Sequence, residues 1–493
     1  MANYTDGNTR VCGLIGNPVR HTLSPLIHNS LAEMLDINLV YVPFEVKEDN
    51  VGDAIRGAAA LDLQGLNVTI PHKSAVIPYL DDIDPLARGI GAVNTLVRTN
   101  QGGFKGYNTD MTGLYRAMVE EGVELEGKKV VILGAGGVAR PAAFLCASKG
   151  AEVVYILNRT FEKAQIVADE VNKALSKLDK VEKLTDDGIE ADGVYGDYEE
   201  KVIPMPIGEY DRLLSGDDKY IVLQCTSVGL FPDVNSAVIE DERFYEHVSV
   251  ALDMVYRPVK TKFMKLAENA GAKSFSGLKM LLYQGIDAFE LWNSDEDNKL
   301  KVTVEQANEI YKKLVMEVSG ARNIILEGFM GSGKTTVSEI LSDKLDLELL
   351  DTDEAIVEAE GRSINEIFAE DGEETFRCME TDLLEMIVSE HLGEMVISLG
   401  GGLPLREENR DLLKKAGKVV FLRTTPETVY ERLEGDSTRP LLQGDDPKSR
   451  IKELLEDRKE RYEAAADIIV DTDGKTPEEI AKEIIGLLGM VFE

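Results

Sequence analysis

Residues 128–150, KKVVILGAGGVARPAAFLCASKG, run from an apolar stretch into a glycine cluster and on into small and apolar residues at helical spacing. A short apolar strand that meets glycines head-on needs a tight turn. Gly134, Gly136 and Gly137 supply that turn and let a pyrophosphate approach the N-terminus of the helix behind them. The third glycine position of the dinucleotide fingerprint holds Ala139, a replacement the pattern tolerates. Alone the motif also describes an ordinary structural turn, so its surroundings decide. A second apolar run, EVVYIL at 152–157, follows one βαβ unit later. It ends in Asn158-Arg159-Thr160, with Lys163 close behind, where an NAD-binding fold expects a carboxylate for the ribose 2′-hydroxyl. Cationic and hydroxyl groups suit a 2′-phosphate instead, so the turn predicts NADP(H). Without its context the same turn is a solvated basic loop.

Working outward, the apolar runs VCGLIG (11–16), NVTI (67–70), YIVLQCT (220–226) and VSVALDMV (248–255) alternate with helical stretches, which predicts an α/β fold. From Gly277 the sequence LKMLLYQGIDAFELW has helical spacing. The stretch 171–218 is charged and poorly periodic, and reads as a surface insertion without an assignable role. Near residue 320 the pattern starts afresh with the strand NIILEG (323–328), a second glycine loop and the helix TTVSEILSDKL (335–345). The two glycine loops are different motifs, so this is a new domain and not a repeat. The boundary is expected at about 318–322.

A chain of 493 residues corresponds to roughly three domains at about 150 residues each. With 54 Lys and Arg against 89 Asp and Glu, the formal charge is −35. Such a surface repels phosphate backbones and anionic lipid, so neither nucleic acid nor membrane is an expected partner, while local cations can still serve small anionic substrates. Cys12, Cys146, Cys225 and Cys378 are scattered with no CxxC spacing, against a disulfide framework or zinc site. MANYTDGNTR is polar, and no apolar run approaches the ~18 residues of a membrane span, so a cytoplasmic setting is expected. Oligomeric state stays open.

The second loop, Gly328-Phe329-Met330-Gly331-Ser332-Gly333-Lys334-Thr335, matches GxxxxGK[ST]. Backbone N–H groups of Gly331, Ser332, Gly333 and Thr336 are placed to cradle phosphate, Lys334 to reach the β- and γ-phosphates, and the Thr335 hydroxyl to ligate Mg²⁺. This predicts ATP without naming the acceptor.

The residues that precede and include the first glycine turn carry a family resemblance. GNPVRHTLSPLIHN (16–29), GLNVTIPHK (65–73), GAVNT (91–95), GYNTD (106–110), GAGGVAR (134–140), NRT (158–160) and GLKMLLYQG (277–285) occur in the order seen in shikimate dehydrogenase. The resemblance spans roughly 8–300. It implies a substrate-binding domain at 1–115, completed by about 277–300, and an NADP-binding Rossmann domain at 116–276. Reducing a ketone needs a hydride donor and a proton source near the carbonyl oxygen. Lys73 and Asp110, an ammonium and a carboxylate on separate loops, suit that task, and the resemblance makes Lys73 the proton-transfer residue with Asp110 beside it. Ser24, Thr69, Asn94 and Gln284 offer neutral hydrogen bonds to a polyhydroxylated ring, and Tyr256 matches a family position near the substrate carboxylate. Gly277, at the start of the last motif, is implied at the cofactor. Taken singly these polar groups also suit turns and caps. The family's usual HSxSP reads His21-Thr22-Leu23-Ser24-Pro25. Thr22 keeps a hydroxyl for the carboxylate and adds a methyl, which leaves discrimination between shikimate and quinate open.

Beyond residue 322, LLDTDEAIVEAEGRSINEIFAEDGEETFRCME (349–380), ISLGGGLP (397–404), TRPLL (438–442) and RKERY (458–462) follow the order of shikimate kinase, implying a P-loop domain with a parallel sheet over 320–493. Asp351 and Asp353 are read as projecting from one side of an extended segment, because side chains alternate there. By resemblance Asp351 serves the metal and Asp353 the acceptor hydroxyl. Arg377 and Arg458 are guanidinium forks suited to a carboxylate, and Gly400, Gly401 and Gly402 let a backbone approach the ring. Arg439 falls in a segment resembling the mobile lid, and Arg432 matches a position that stacks on adenine. Each arginine alone also fits a surface ion pair. Together the halves imply a bifunctional enzyme that reduces 3-dehydroshikimate to shikimate with NADPH and then phosphorylates shikimate with ATP. The alternatives are additional use of quinate, or one half serving as an inactive binding module.

Overall fold

The computed structural model describes residues 5–20, 22–177, 200–231, 233–295, 298–390, 392–433 and 446–489, together with the backbone of 183–185 and 188–190. The chain forms two compact units, Met1–Leu314 and Val315–Glu493.

The first unit holds two six-stranded sheets. In one, the spatial order is Leu39–Glu45, Arg10–Gly16, Gly65–Val68, Thr95–Arg98, Phe104–Tyr107 and Asp82–Ile83. The first three strands are parallel, and Thr95–Arg98 runs antiparallel to both its neighbours. The strand expected over 67–70 is shifted to 65–68, which frees Thr69 and Ile70 to turn away before Pro71. The other sheet is wholly parallel, in the order Val202–Pro206, Val153–Asn158, Lys129–Leu133, Tyr220–Gln224, Val248–Asp253, Lys273–Ser276. Numbered along the chain this is 3-2-1-4-5-6, the doubly wound order that leaves a crevice at the C-terminal ends of the central strands. Val130 to Leu133 are fully buried, as a strand covered on both faces must be.

Part of 171–218 is therefore not an insertion. The helix Phe161–Lys177 continues into it, and Val202–Pro206 is the sheet's edge strand. The remainder of that stretch lies largely outside the described residues.

Helices Thr109–Glu120 and Leu278–Asn293 lie side by side. Gly113 permits this, because a Cβ there would stand 2.4 Å from the Gln284 backbone nitrogen. Trp292, at the end of the second helix, buries its ring over Gly65 and donates Nε1–H to the Leu96 carbonyl at 2.9 Å.

The second unit is a five-stranded parallel sheet in the order Glu348–Asp351, Met395–Ser398, Asn323–Glu327, Lys418–Arg423, Ile468–Asp471. Its first strand is central and ends at the phosphate loop. All four cysteines are free, and among the described residues no helix is long and apolar enough to cross a membrane.

Candidate active sites

Lys73 follows the turn that ends the Gly65–Val68 strand. Its Nζ donates to Asp110 Oδ2 at 2.6 Å. The side chains are 30% and 16% exposed, open enough to meet a substrate and shielded enough for the charge pair to act strongly. Asp110 stands in the first turn of the helix Thr109–Glu120, where the helix dipole favours a carboxylate. Asn108 caps that helix by accepting from the Met111 N–H. Asn94 clamps its base: Oδ1 accepts from the Thr109 N–H at 2.7 Å, and Nδ2 donates to Thr109 Oγ1 at 3.1 Å.

Below this pair lies a buried polar cluster that the sequence reading missed. Asn67 Oδ1 accepts from Tyr41 Oη at 2.8 Å and faces His28 Nε2 at 3.1 Å, while Asn67 Nδ2 donates to Thr95 Oγ1 at 3.1 Å. The His28 ring stacks on Tyr41 at 4.2 Å, and burial holds its pKa down at about 3, so it is neutral. The available signal was Asn67 itself, an amide inside an apolar strand. Thr22 donates Oγ1–H to Ser24 Oγ at 3.1 Å and accepts from the Ser24 N–H, which fixes both hydroxyls at the start of the helix Ser24–Met34. Thr69 packs its methyl where a side chain on Gly16 would lie. Gln284 is buried and donates to the Leu281 carbonyl, and Tyr256 is half-buried on the loop after Val248–Asp253. Lys73, Asp110 and Asn94 thus form one constellation and Thr22 with Ser24 a second. No hydrogen bond joins Tyr256 or Gln284 to either set.

At the glycine turn, Gly134 has φ +106°, and a Cβ there would meet Thr226 Cγ2 at 2.6 Å. Gly136 leaves its built Cβ 3.6 Å from the Cys225 carbonyl, and Gly137 faces open space. Asn158 Nδ2 donates to the Thr160 carbonyl at 2.8 Å and shapes the next turn, from which Arg159, Thr160 and Lys163 stand exposed. A left-handed glycine, an open face and unpaired cations fit a dinucleotide phosphate. The rim opposite is braced by two buried residues absent from the sequence reading. Asp253 accepts from Thr261 Oγ1 at 2.6 Å, the Val255 N–H at 2.9 Å and Gln224 Nε2 at 3.3 Å, and burial pushes its carboxyl up to about 7. Gln224 Oε1 accepts from the Thr226 N–H at 2.7 Å, and the Asp253 carbonyl accepts from the Gly277 N–H at 2.5 Å. One hub therefore joins the loop over Gly134, the loop bearing Tyr256 and the turn at Gly277.

In the second unit, Lys334 opens the helix Lys334–Leu345 and donates to the carbonyls of Gly328 at 2.9 Å and Phe329 at 3.2 Å. Gly331 and Gly333 have φ of +74° and +95°, which turns backbone N–H groups inward. Ser332 Oγ is buried in the loop without a partner, and Thr335 and Thr336 are exposed at the helix start. An orphaned donor in a nest of amides fits a phosphate group. Arg432 donates to the carbonyls of Gly331 and Ser332, each at 3.2 Å, so it braces the loop. Arg439 and the segment 438–442 lie outside the described residues.

Asp351 and Asp353 do not share an extended segment. Asp351 ends the strand and caps the helix Thr352–Glu360, its Oδ1 accepting from the N–H groups of Asp353 and Glu354, and Asp353 lies in the first turn. The pair stays close because a cap and the residue two places on share one helix end. Asp353 Oδ1 is 2.3 Å from where a Cβ on Gly400 would sit, and Arg377 Nη1 is 2.2 Å from that position on Gly402. Both glycines are needed for this approach. Gly401 is held by Tyr462, whose Oη donates to its carbonyl at 2.6 Å. The Arg458 guanidinium lies over the Phe329 ring at 5.7 Å. Glu380, within the stretch already singled out but not picked from it, is fully buried. It accepts from Arg377 Nη1 at 2.8 Å and leaves Oε1 unpartnered beside the Gly400–Asp353 contact. Burial carries its carboxyl up to about 7. No group of three metal-ligating side chains occurs among the described residues. A hydroxyl at Thr335 and the remaining oxygen of Asp351 suit Mg²⁺, which keeps most of its waters and leans on substrate phosphates.

Three family models match the chain: the shikimate dehydrogenase substrate binding domain over 14–96, shikimate / quinate 5-dehydrogenase over 117–194, and shikimate kinase over 330–488. The NADP(+) shikimate dehydrogenase of Methanothermobacter thermautotrophicus is 42% identical over 288 residues, 58% of this chain and 92% of its own length. A shikimate dehydrogenase solved with NADP+ shares 35% identity, with a TM-score of 0.52 over 63% of this chain and 97% of that one. The shikimate 5-dehydrogenase of Listeria monocytogenes, solved with shikimate and NAD, shares 30% identity with the same TM-score and coverage.

Proposed function

The first unit of this chain belongs to the shikimate dehydrogenase family and the second matches the shikimate kinase model, and from that premise we propose two consecutive steps: reduction of 3-dehydroshikimate to shikimate with NADPH, then transfer of the ATP γ-phosphoryl to the shikimate 3-hydroxyl. The observation that carries the first step is the Lys73–Asp110 pair at 2.6 Å on a helix end clamped by Asn94. NADPH supplies hydride to the carbonyl carbon. Lys73 Nζ–H gives its proton to the carbonyl oxygen, and Asp110 holds the ammonium in line and offsets its charge. Thr22 and Ser24 hold the substrate carboxylate and ring hydroxyls. Arg159 and Lys163 favour the 2′-phosphate over an unmodified ribose.

In the second step ATP supplies the phosphoryl group. Asp353 accepts the hydrogen bond of the acceptor hydroxyl and orients it, and Arg377 and Arg458 hold the acceptor carboxylate. Glu380 keeps the Arg377 fork in place. Lys334 leaves the carbonyls of Gly328 and Phe329 to neutralise the transferring phosphoryl, with Thr335 and Asp351 at the Mg²⁺. The test is a coupled assay of the purified chain with 3-dehydroshikimate, NADPH and MgATP, with both products identified. Appearance of shikimate without its 3-phosphate would reject the second step, and NADPH left unoxidised would reject the first. Quinate in place of shikimate, assayed in reverse with NADP+, tests the freedom left by Thr22.

A further inference from the structure

The first unit contains a second concavity besides the catalytic crevice. A cleft of about 890 Å³ is lined on one side by residues of 82–89 and by Lys105, and on the other by the helices Ala139–Ser148 and Phe161–Lys177. Neither Lys73 nor Asp110 lines it, and neither do the glycine turn and the 158–160 turn. Four cations do: Arg88 and Lys105 from the substrate lobe, Arg140 and Lys173 from the dinucleotide lobe. Two carboxylates of the lining oppose them, and Asp84 beside it acts on Lys105 as a third. Asp82 is shared by Arg88 at 3.4 Å and Lys105 at 3.1 Å, and Glu170 faces Arg140 at 3.3 Å. Among the described residues, four cations against these three carboxylates leave one positive charge, in a chain whose formal charge is −35. Surplus cations converging on a concavity raise the local concentration of anions, and guanidinium forks recognise carboxylate and phosphate.

We propose that this cleft binds a small molecule bearing two separated anionic groups, one held by each lobe, and that a phosphorylated carboxylic acid of the kind the second unit would release fits it. Only the identity of that acid rests on the function proposed above. Occupancy has a consequence for turnover. Arg140 Nη2 lies 3.4 Å from the Cβ position of Gly91, the Gly91 carbonyl accepts from Ser74 Oγ at 3.2 Å, and the Lys73 carbonyl accepts from the Val93 N–H at 2.8 Å. An anion that draws on Arg140 therefore acts on the residues flanking Lys73, and it bridges the two lobes that line the cleft. The expected effect is a lower dehydrogenase kcat with little change in KM for 3-dehydroshikimate.

The test uses the full chain and labelled shikimate 3-phosphate prepared independently. Equilibrium dialysis is run at fixed ionic strength on a Lys334→Ala/Arg377→Ala background, which disables the kinase site, with NADP+ and 3-dehydroshikimate filling the crevice. One equivalent is expected to bind, and adding Arg88→Glu and Lys173→Glu, both on exposed side chains, should weaken binding at least tenfold. In the otherwise native chain the same two reversals should leave the basal dehydrogenase rate intact and remove its depression by the ligand. Equal affinity with and without the reversals, or no binding up to about 1 mM, overturns the site. Dialysis needs no turnover, so a chain that binds the label yet fails to reduce 3-dehydroshikimate loses the proposed function and keeps the cleft.

Discussion

At the residue scale, the dehydrogenase step proposed above rests on one contact. Lys73 reaches Asp110 at 2.6 Å, and both residues belong to the first unit. Lys73→Ala removes the proposed proton donor and the ion-pair partner of Asp110. General acid–base groups contribute about 10²–10⁴-fold, so dehydrogenase kcat should fall by that range while kinase turnover stays within about twofold. Retention of half the dehydrogenase rate would remove Lys73 from the mechanism. The proposed cofactor preference rests on Arg159, exposed beside Thr160 in a turn that Asn158 shapes. Wild type is expected to prefer NADP over NAD, and Arg159→Asp should reverse the ratio of kcat/KM values by repelling the 2′-phosphate. Equal use of both cofactors by the wild type would refute this reading of the turn.

At the scale of elements, the kinase strand Asn323–Glu327 ends in an unusual group. Glu327 is fully buried and neither carboxyl oxygen has a partner. Burial pushes its pKa from 4.5 to about 9, against the opposing pull of Lys334 and Arg410. The folded state therefore holds a proton that the unfolded chain releases above about 4.5. Stability from this group is complete below that value and is lost as pH rises through 9. Calorimetry of the full chain should show the kinase transition weakening from pH 6 to 9, and Glu327→Gln, which cannot titrate, should flatten that slope. An unchanged slope would mean the carboxyl finds a partner after all. Such a group shows how far a sequence can be read. The glycine loops and the central strands were legible because apolar runs and glycines dictate local structure. Glu327 and Glu380 were not, because among 89 acidic residues a buried carboxyl has no distinguishing neighbours along the chain. Val202–Pro206 was hidden by Pro204 and Pro206, which argue against a central strand. It pairs on one side only, where missing N–H groups are tolerated. The stretch Asp351-Thr352-Asp353 looked extended, yet the Asp351 carboxylate caps a helix, and capping outweighs alternation at a strand end.

At the scale of the whole molecule, the two steps proposed for one chain raise the question of whether shikimate would pass directly from one to the other. Fusion speeds transfer only if the intermediate is captured before it diffuses away. Shikimate is an anion, and a chain with formal charge −35 repels it over most of its surface. The cations that would receive it, Arg377 and Arg458, act within a Debye length of about 8 Å at physiological salt. Arg377 is further discounted by its ion pairs with Glu380 at 2.8 Å and Glu373 at 2.9 Å, which leave little long-range field. Capture must therefore wait for close encounter, and the intermediate is expected to equilibrate with solvent first. The measurement is isotope dilution: the chain converts labelled 3-dehydroshikimate with NADPH and MgATP while unlabelled shikimate is present in excess. Label in shikimate 3-phosphate should fall in proportion to the external pool. Label that resists dilution would show that the two sites exchange shikimate faster than it escapes, and the electrostatic reasoning would then be wrong about what governs its path.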